Sequence, residues 1–176
     1  HFPANTDHRE ETLFSKRLKS SVLAAAAFLI TASIGYADAW ENIRKAGTIR
    51  ISIDPAAPPY SSLDEQGKYA GSEVAIAERL AADLGLRLQI VPTSPANRIP
   101  YLITGQSDAV ISTLSITDER KQNIDFSVPY FDASQALMAR KASGITSLDD
   151  VRAKGLKLGA QASTTGLDYV TGKGFD

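Results

Sequence analysis

The sequence of 176 residues has no cysteine, and its two histidines are His1 and His8. The lack of cysteine excludes disulfides, thiolate metal sites and a cysteine nucleophile. Because histidine is missing after residue 8 as well, we expect no zinc site and no serine–histidine catalysis. A formal net charge of −1 gives no basic footprint for nucleic acid. The nucleotide-binding motifs GxxxxGK[ST] and GxGxxG are also missing, so we expect no cofactor, and the composition points away from an enzyme.

The first 39 residues differ from the rest of the chain. An apolar stretch from Val22 to about Ile30 follows the basic residues Lys16, Arg17 and Lys19, and small residues then end at Ala39. This is the pattern of a secretory signal, which predicts export and cleavage after Ala39. A membrane anchor is the alternative, but the uncharged run 20–37 is diluted by polar residues, and a spanning helix needs about 20 mostly apolar ones. Residues 1–12 fit neither pattern, and we interpret them as upstream sequence.

Strand and helix patterns alternate after residue 47. Predicted strands are TIRISID (48–54), LRLQIV (86–91), DAVIST (108–113), SQALMAR (134–140) and LKLGAQ (156–161). A helix is predicted from Ser72 to just before Gly85, with Ser72 as its cap, Glu73 at its positive end and an apolar face of Val74, Ala77, Leu80, Ala81 and Leu84. Shorter helices are predicted within 95–106, 115–123, 147–155 and 163–170, with Ser147 as a cap. This alternation predicts an α/β fold with a largely parallel sheet.

Hydroxyl residues and an arginine follow the predicted strand 108–113. In open α/β sheets, ligands bind beyond the carboxyl ends of the strands, where the free amides of a following helix favour an anion. An arginine adds a planar fork that matches a carboxylate. Thr113, Ser115 and Arg120 can therefore form a carboxylate cradle. The alternative is that Thr117 only caps a helix and Arg120 is a solvated charge.

Three further places can take part in binding. Thr164 and Thr165 lie between the predicted strand 156–161 and a helix, and they either face the same ligand from a second side or only cap that helix. Asp54 ends the first strand, where its carboxylate can bind an ammonium group or orient a loop amide. The Tyr60 ring can cover a ligand or pack in the core.

The segment GQSDAVISTLSITDERKQNIDFSVPYF, residues 105–131, strongly resembles the family 3 solute-binding proteins of polar amino-acid ABC transporters. The order ISID, GKYAG, ANRIPYL and LGAQASTT extends this resemblance over about 48–170. It implies a periplasmic-binding-protein fold of type II, with two α/β lobes that close on a ligand. We expect lobe I at 40–131 and a partial lobe II at 132–176, since relatives continue beyond the position of Asp176.

The resemblance also implies a binding function without chemistry. The protein would be a periplasmic monomer that captures an amino acid or related carboxylate and delivers it to an ABC permease in the inner membrane. Arg120, with Thr113 and Ser115, would hold the α-carboxylate. Thr164 and Thr165 would contribute from lobe II, and Asp54 would lie near the ligand.

Departures from the family pattern leave the side chain of the ligand open. Ala57 and Pro95 stand where relatives often have aromatic residues, and GSEVA at 71–75 lacks an aromatic residue and a second acid. Asn97 and Arg98 can face the pocket instead, where Arg98 either meets an acidic ligand or only begins a helix. One alternative function is a cyclohexadienyl (arogenate or prephenate) dehydratase on the same fold. Another is the sensing domain of a membrane receptor.

Overall fold

The computed structural model describes residues 34–175. Helix α1, Ile34–Ala46, belongs to one compact unit of the chain, and residues 47–175 belong to a second. Most of the predicted signal lies outside the described residues, and its predicted cleavage point after Ala39 falls inside α1. Within residues 34–175, no helix has the length and apolar character to cross a bilayer.

A parallel sheet forms the centre of the second unit. Its strands are β1 (Thr48–Ile53), β5 (Arg87–Pro92) and β6 (Ala109–Val110), in the order β5-β1-β6. Strand β1 pairs with β5 along its whole length and with β6 at Ile51 and Ser52. The central position of β1 buries Ile49, Ile51 and Ile53, as the alternating pattern predicts. The predicted α/β class with parallel pairing is confirmed.

A small antiparallel sheet follows the first strand. It consists of β2 (Ala56–Ala57), β3 (Ser61–Leu63) and β4 (Tyr69–Ala70). The turn between β3 and β4 is organised by Asp64, whose Oδ1 accepts hydrogen bonds from the amides of Gln66 and Lys68 at 3.0 and 2.7 Å. A short aspartate side chain that bonds amides further along the chain is a common way to fix such a turn.

Helix α2, Ser72–Asp83, packs against the sheet through Val74, Ala77 and Ala81. The prediction that Ser72 caps this helix is wrong, since Gly71 is the cap residue and no side-chain cap bond forms. The predicted apolar face is also too wide, because Leu80 and Leu84 are exposed. Glu73 takes the space at the buried side of the first turn.

The described chain after residue 113 contains short helices and no strand. Arg120–Gln122 and Lys141–Ser143 are 3-10 turns, and the helices are α4 (Leu148–Ala153) and α5 (Thr165–Gly172). The predicted strands 134–140 and 156–161 are therefore wrong, and β6 is shorter than predicted. A strand needs a neighbour for its backbone groups, and no described segment pairs with either of these.

Local caps organise this second part. Ser147 caps α4, as predicted: its hydroxyl accepts from the Asp150 amide, and Asp150 accepts from the Ser147 amide in a reciprocal capping box.

Earlier in the chain, α3 (Arg98–Ile103) matches the short helix predicted before Gly105.

Candidate functional site

Arg120 lies at the start of a 3-10 turn beyond the carboxyl end of β6. Thr117 accepts a hydrogen bond from the Arg120 amide at 3.2 Å, which ties the turn to the loop before it. The guanidinium donates to the carbonyl oxygen of Ser115 at 2.9 Å and to that of Ser163 at 3.3 Å. Its remaining N–H groups make no side-chain ion pair within the described chain. A half-buried guanidinium without a carboxylate partner is suited to receive one from a ligand.

The loop before α5 approaches this arginine from the other side. Ser163 has a positive φ of 60°, which is uncommon for a residue other than glycine. Thr164 is the N-cap of α5: its hydroxyl accepts from the Leu167 amide at 3.3 Å and donates to the Gln161 carbonyl at 2.7 Å. Thr165 accepts from the Gln135 side chain at 3.0 Å. The two predicted loops thus meet, and the contact runs through the backbone of Ser163.

Arg98 is 3% exposed and lies beside these loops. Its Nη1 donates to the carbonyls of Ser112 at 2.7 Å and Thr113 at 3.1 Å, and its Nη2 donates to that of Ser163 at 3.4 Å. Burial lowers the pKa of this guanidinium, and the charge of Arg120 lowers it further, whereas Asp54 and Glu73 raise it. The side chain is therefore engaged with backbone oxygen atoms of both loops.

A buried hydrogen-bond network connects the end of β1 to the loop after β6. The Asp54 amide donates to the Ser112 hydroxyl at 3.1 Å, and the Asp54 carboxylate accepts from the Ala56 amide at 2.9 Å. Asp54 thus orients a loop amide in this structure, which is one of its two predicted roles. The Glu73 carboxylate, 3% exposed, accepts from the Thr113 amide and lies 3.1 Å from the Ser61 hydroxyl.

Two predicted site residues lie outside these contacts. The Tyr60 ring is half-buried and packs edge-on against the Phe131 ring, with centroids 5.5 Å apart. Asn97 is exposed at the start of α3 and makes no side-chain cap bond there. Among the described residues, neither Tyr60 nor Asn97 is hydrogen-bonded to Arg120.

A cleft of about 270 Å³ opens beside Arg120. Both predicted binding loops contribute to its wall, through Arg120 and Ser163, and α3 contributes Ile99 and Pro100. The complete set of lining residues is Ala96, Ile99, Pro100, Glu119, Arg120, Asn123, Ser163 and Asp168. This volume lies just below the range of about 300–1,000 Å³ that is typical of small-molecule pockets. Among residues 34–175, no group of three or more acidic or histidine side chains is placed to hold a metal ion.

Comparison with known proteins decides the family. Residues 49–169 match the model of the bacterial extracellular solute-binding proteins, family 3. The chain belongs to this family. The segment that carries the match contains the whole of the cleft and the network behind it.

Relatives within family 3 bind different amino acids. The chain is 34% identical over 140 residues to the lysine/arginine/ornithine-binding periplasmic protein of Escherichia coli strain K12, covering 78% of this chain and 52% of that protein. It is 34% identical over 110 residues to the ABC transporter glutamine-binding protein GlnH of Bacillus subtilis strain 168, covering 61% of this chain and 40% of that one. The chain spans about half the length of the curated relatives it matches.

A solved structure confirms the fold. The ancestral amino acid-binding protein AncCDT-1, a precursor of cyclohexadienyl dehydratase, superposes with a TM-score of 0.71 at 36% identity. The match covers 74% of this chain and 59% of that structure. The periplasmic-binding-protein fold predicted for the chain is therefore confirmed, with only part of the second lobe represented.

In this family 3 chain, the sequence did not reveal the buried contacts of Glu73, and it left two alternative roles for Arg98. Glu73 was assigned only to the helix dipole, although it lies four residues before Ala77 and eight before Ala81, on the buried face of α2. An acid on an apolar helix face signals a buried partner, because an unpaired buried charge is costly. No comparable signal in the sequence points to the Ser163 carbonyl, whose role is that of a backbone atom.

Proposed function

We propose that this chain is the substrate-binding component of an amino-acid ABC transporter. It captures an amino acid or a related carboxylate and carries out no chemistry. Arg120 takes the α-carboxylate, with Thr113 and Ser115 beside it, and the Thr164–Thr165 segment closes the site from the second lobe. Asp54, Tyr60 and Asn97 complete the proposed set of ligand-binding residues, although none of them lines the cleft beside Arg120. Lobe I comprises residues 40–131 and the partial lobe II residues 132–176.

The observation that carries this proposal is the convergence of two loops on one arginine. The Arg120 guanidinium touches the Ser115 carbonyl of its own loop and the Ser163 carbonyl of the other, while no acidic side chain neutralises it in the described chain. A ligand carboxylate that enters the cleft meets a planar fork of donors already held in position. Two parallel charge-assisted hydrogen bonds of this kind give both affinity and orientation.

The environment of Arg98 bears on the ligand's side chain. Its guanidinium is buried and donates to carbonyl oxygens on both loops. An acidic ligand group would have to displace those bonds, so the geometry favours the helix-start role over direct ligand contact. We propose a ligand bound chiefly through its α-carboxylate, with arginine and glutamine, for which two of the relatives are named, as the first candidates.

Location and partners follow from the family relationship. Family 3 proteins are extracellular solute-binding proteins, and one of the relatives is named as periplasmic and another as part of an ABC transporter. We propose a periplasmic protein that acts as a monomer and delivers its ligand to an inner-membrane permease. The signal over residues 1–39 would direct its export.

Replacement of Arg120 tests the proposal. In the intact chain, Arg120→Ala should weaken binding of L-arginine or L-glutamine by about 2–5 kcal/mol, a roughly 30-fold or larger rise in Kd measured by calorimetry, since the ligand carboxylate loses its charged partner. Lys121→Ala is the matched control, because this neighbour is exposed and pairs only with Asp118 among the described residues. Equal affinities of the wild-type protein and Arg120→Ala would refute the assignment.

A dehydratase function is the second candidate. It is favoured by the similarity to AncCDT-1, which is described as a precursor of cyclohexadienyl dehydratase. Such an enzyme needs a general acid near the ligand, and in the described chain the Asp54 carboxylate is engaged by the Ala56 amide while Glu73 is engaged by Thr113. Release of phenylpyruvate from prephenate by the intact chain would favour this candidate, and its lack together with amino-acid binding would favour the transporter.

A further inference from the structure

The buried carboxylate of Glu73 belongs to a ring that is closed by polar contacts and by the peptide chain between them. One oxygen accepts from the Thr113 amide, and the other lies 3.1 Å from the Ser61 hydroxyl, which is also 2.6 Å from the Asp54 carbonyl. The Asp54 amide returns to the loop by donating to the Ser112 hydroxyl. The ring therefore joins the end of β1, the start of α2 and the loop that follows β6.

Thr113 lies between two buried charges of opposite sign. Its amide donates to Glu73, and its carbonyl accepts from Arg98 Nη1 at 3.1 Å. Its φ is +45°, a left-handed conformation that is a real outlier for a β-branched residue. Such a conformation persists only where surrounding contacts enforce it. The hydrogen bonds on both sides of Thr113 supply that enforcement.

We infer that Glu73 is a positioning residue that holds Thr113 in its left-handed conformation and thereby sets the geometry of the carboxylate cradle. This inference rests on the proposed function, which assigns the cradle its ligand. Glu73 does not touch the ligand, because its side chain is 3% exposed and both oxygens face groups of the protein. It acts through the backbone of Thr113, two residues before Ser115, whose carbonyl holds Arg120.

The Thr113 amide requires an acceptor at this position, and the Glu73 carboxylate supplies it with a full negative charge. The Thr113 amide can only donate, and the Ser61 hydroxyl faces Glu73 and the Asp54 carbonyl with a single hydrogen. A glutamine can still accept from the Thr113 amide through its oxygen and can turn its NH₂ group toward the Ser61 oxygen, but its acceptor is neutral, so the bond to Thr113 loses its charge assistance. Loss of the negative charge also removes one of the two acids that raise the pKa of Arg98. Glu73→Gln therefore changes the turn without changing the size of the side chain.

The experiment compares Glu73→Gln with Glu78→Gln in the intact chain. Glu78 is an exposed acid on the same helix, so its replacement controls for charge and helix propensity. The first readout needs no ligand: the NMR amide-proton shift of Thr113 and its Cα and Cβ shifts report the hydrogen bond and the backbone conformation. The second readout is the Kd for L-arginine and for L-glutamine.

We expect Glu73→Gln to move the Thr113 amide proton upfield and to shift its carbon resonances, because the charge-assisted bond is lost. The Kd for whichever amino acid binds should rise about tenfold or more, as expected for a lost hydrogen bond to a charged group. Glu78→Gln should change neither readout. Unchanged Thr113 resonances in Glu73→Gln, or an affinity within about twofold of wild type despite shifted resonances, would overturn the inference.

Failure of the proposed function can be distinguished from failure of this inference. If the wild-type chain binds neither amino acid, the proposed function fails for these ligands, and the Thr113 resonances alone decide whether Glu73 positions the turn. If Glu73→Gln does not fold, Glu73→Asp takes its place, since it keeps the charge and acceptors but shortens the reach. Unaltered Thr113 resonances in folded Glu73→Asp would contradict the positioning role.

Discussion

Residues 47–113 and residues 125–163 are held together by different kinds of contact. The first region contains every strand of the described chain, a parallel sheet with a core that includes Ile51 and Ile53, and buried hydrogen bonds between segments far apart in sequence. The second region has no strand, and its contacts are mostly local, such as the capping box of Ser147 and Asp150. Val151 is the only buried hydrophobic residue that the described chain contributes after Ile111.

The two regions differ in whether the described chain covers their apolar side chains. Apolar residues of the second region are present but exposed: Val128 is 81% exposed, and Phe131 and Met138 are also exposed. Several exposed apolar side chains, on a backbone that forms no strand hydrogen bonds, indicate a surface that is normally covered. The first region has its partners within residues 47–113, whereas the second region lacks them in the described chain.

Removal of a core side chain should separate the two regions most clearly. Ile51→Ala should lower the free energy of unfolding by about 2–5 kcal/mol, because Ile51 is fully buried in the central strand. Leu156→Ala should cost about 1 kcal/mol or less, since Leu156 is 47% exposed. Urea unfolding followed by circular dichroism measures both. Equal losses would show that the second region is packed as tightly as the first.

A glycine next to Tyr60 should give a smaller effect within the first region. A Cβ added at Gly71 would lie 2.2 Å from the Tyr60 carbonyl oxygen, at a φ of +127°. Gly67 also has a positive φ, but a Cβ there meets nothing within 4 Å. Gly67→Ala should therefore cost about 1 kcal/mol for backbone strain, and Gly71→Ala should cost about 1–3 kcal/mol more because of the clash.

The same unfolding experiment compares these two glycine variants. A larger loss for Gly71→Ala locates the additional cost in the contact between the start of α2 and the Tyr60 backbone. If the two variants lose equal stability, the backbone before α2 can shift to relieve the clash with Tyr60, and the close contact carries no additional cost.

The pH dependence of the capping box should give the smallest effect. Hydrogen bonds from Thr146 and Ser147 lower the pKa of Asp150 from 3.8 to about 2. A carboxyl whose folded pKa is depressed stabilises the fold fully above its ordinary value, and that stability is lost as the pH falls through the folded pKa. Asp150→Asn should thus destabilise the protein near neutral pH, and the difference from wild type should shrink between about pH 4 and pH 2.

Asp149→Asn is the control for this pH dependence. Asp149 lies beside Asp150 in the first turn of α4, but its described contact is an exposed ion pair with Arg152. A difference between wild type and Asp150→Asn that stays constant from pH 5 to pH 2, where an ordinary carboxyl titrates, would contradict the depressed pKa.

Sequence patterns predict the first region well for physical reasons. The alternation of Ile49, Ile51 and Ile53 reflects a strand buried in a sheet, and the turn chemistry around Asp64 and Gly67 fixes a hairpin locally. Both features depend on neighbours that the described chain supplies. The predicted strands 134–140 and 156–161 contain no β-branched residue, and no described segment pairs with them, so neither propensity nor pairing favours a strand there.

The site was predicted only in part, because side-chain chemistry is easier to recognise than backbone contacts. Arg120 and the hydroxyl-rich loops are visible in the sequence as residue types placed at strand ends. The meeting of Arg98 and Arg120 at the Ser163 carbonyl depends on backbone conformation. The positive φ values of Thr113 and Ser163 arise from long-range contacts and have no local sequence signature.

The most direct test of the account is the dependence of binding on the α-carboxylate. Calorimetric titration of the intact chain with L-arginine and L-glutamine would be compared with titration of agmatine and 4-aminobutanamide, which lack only that carboxylate. The account predicts that at least one of the amino acids binds and that its decarboxylated counterpart does not. Equal affinity for an amino acid and its amine would contradict the assignment of Arg120 as the carboxylate-binding residue of this site, and no binding of either amino acid would contradict the choice of these ligands.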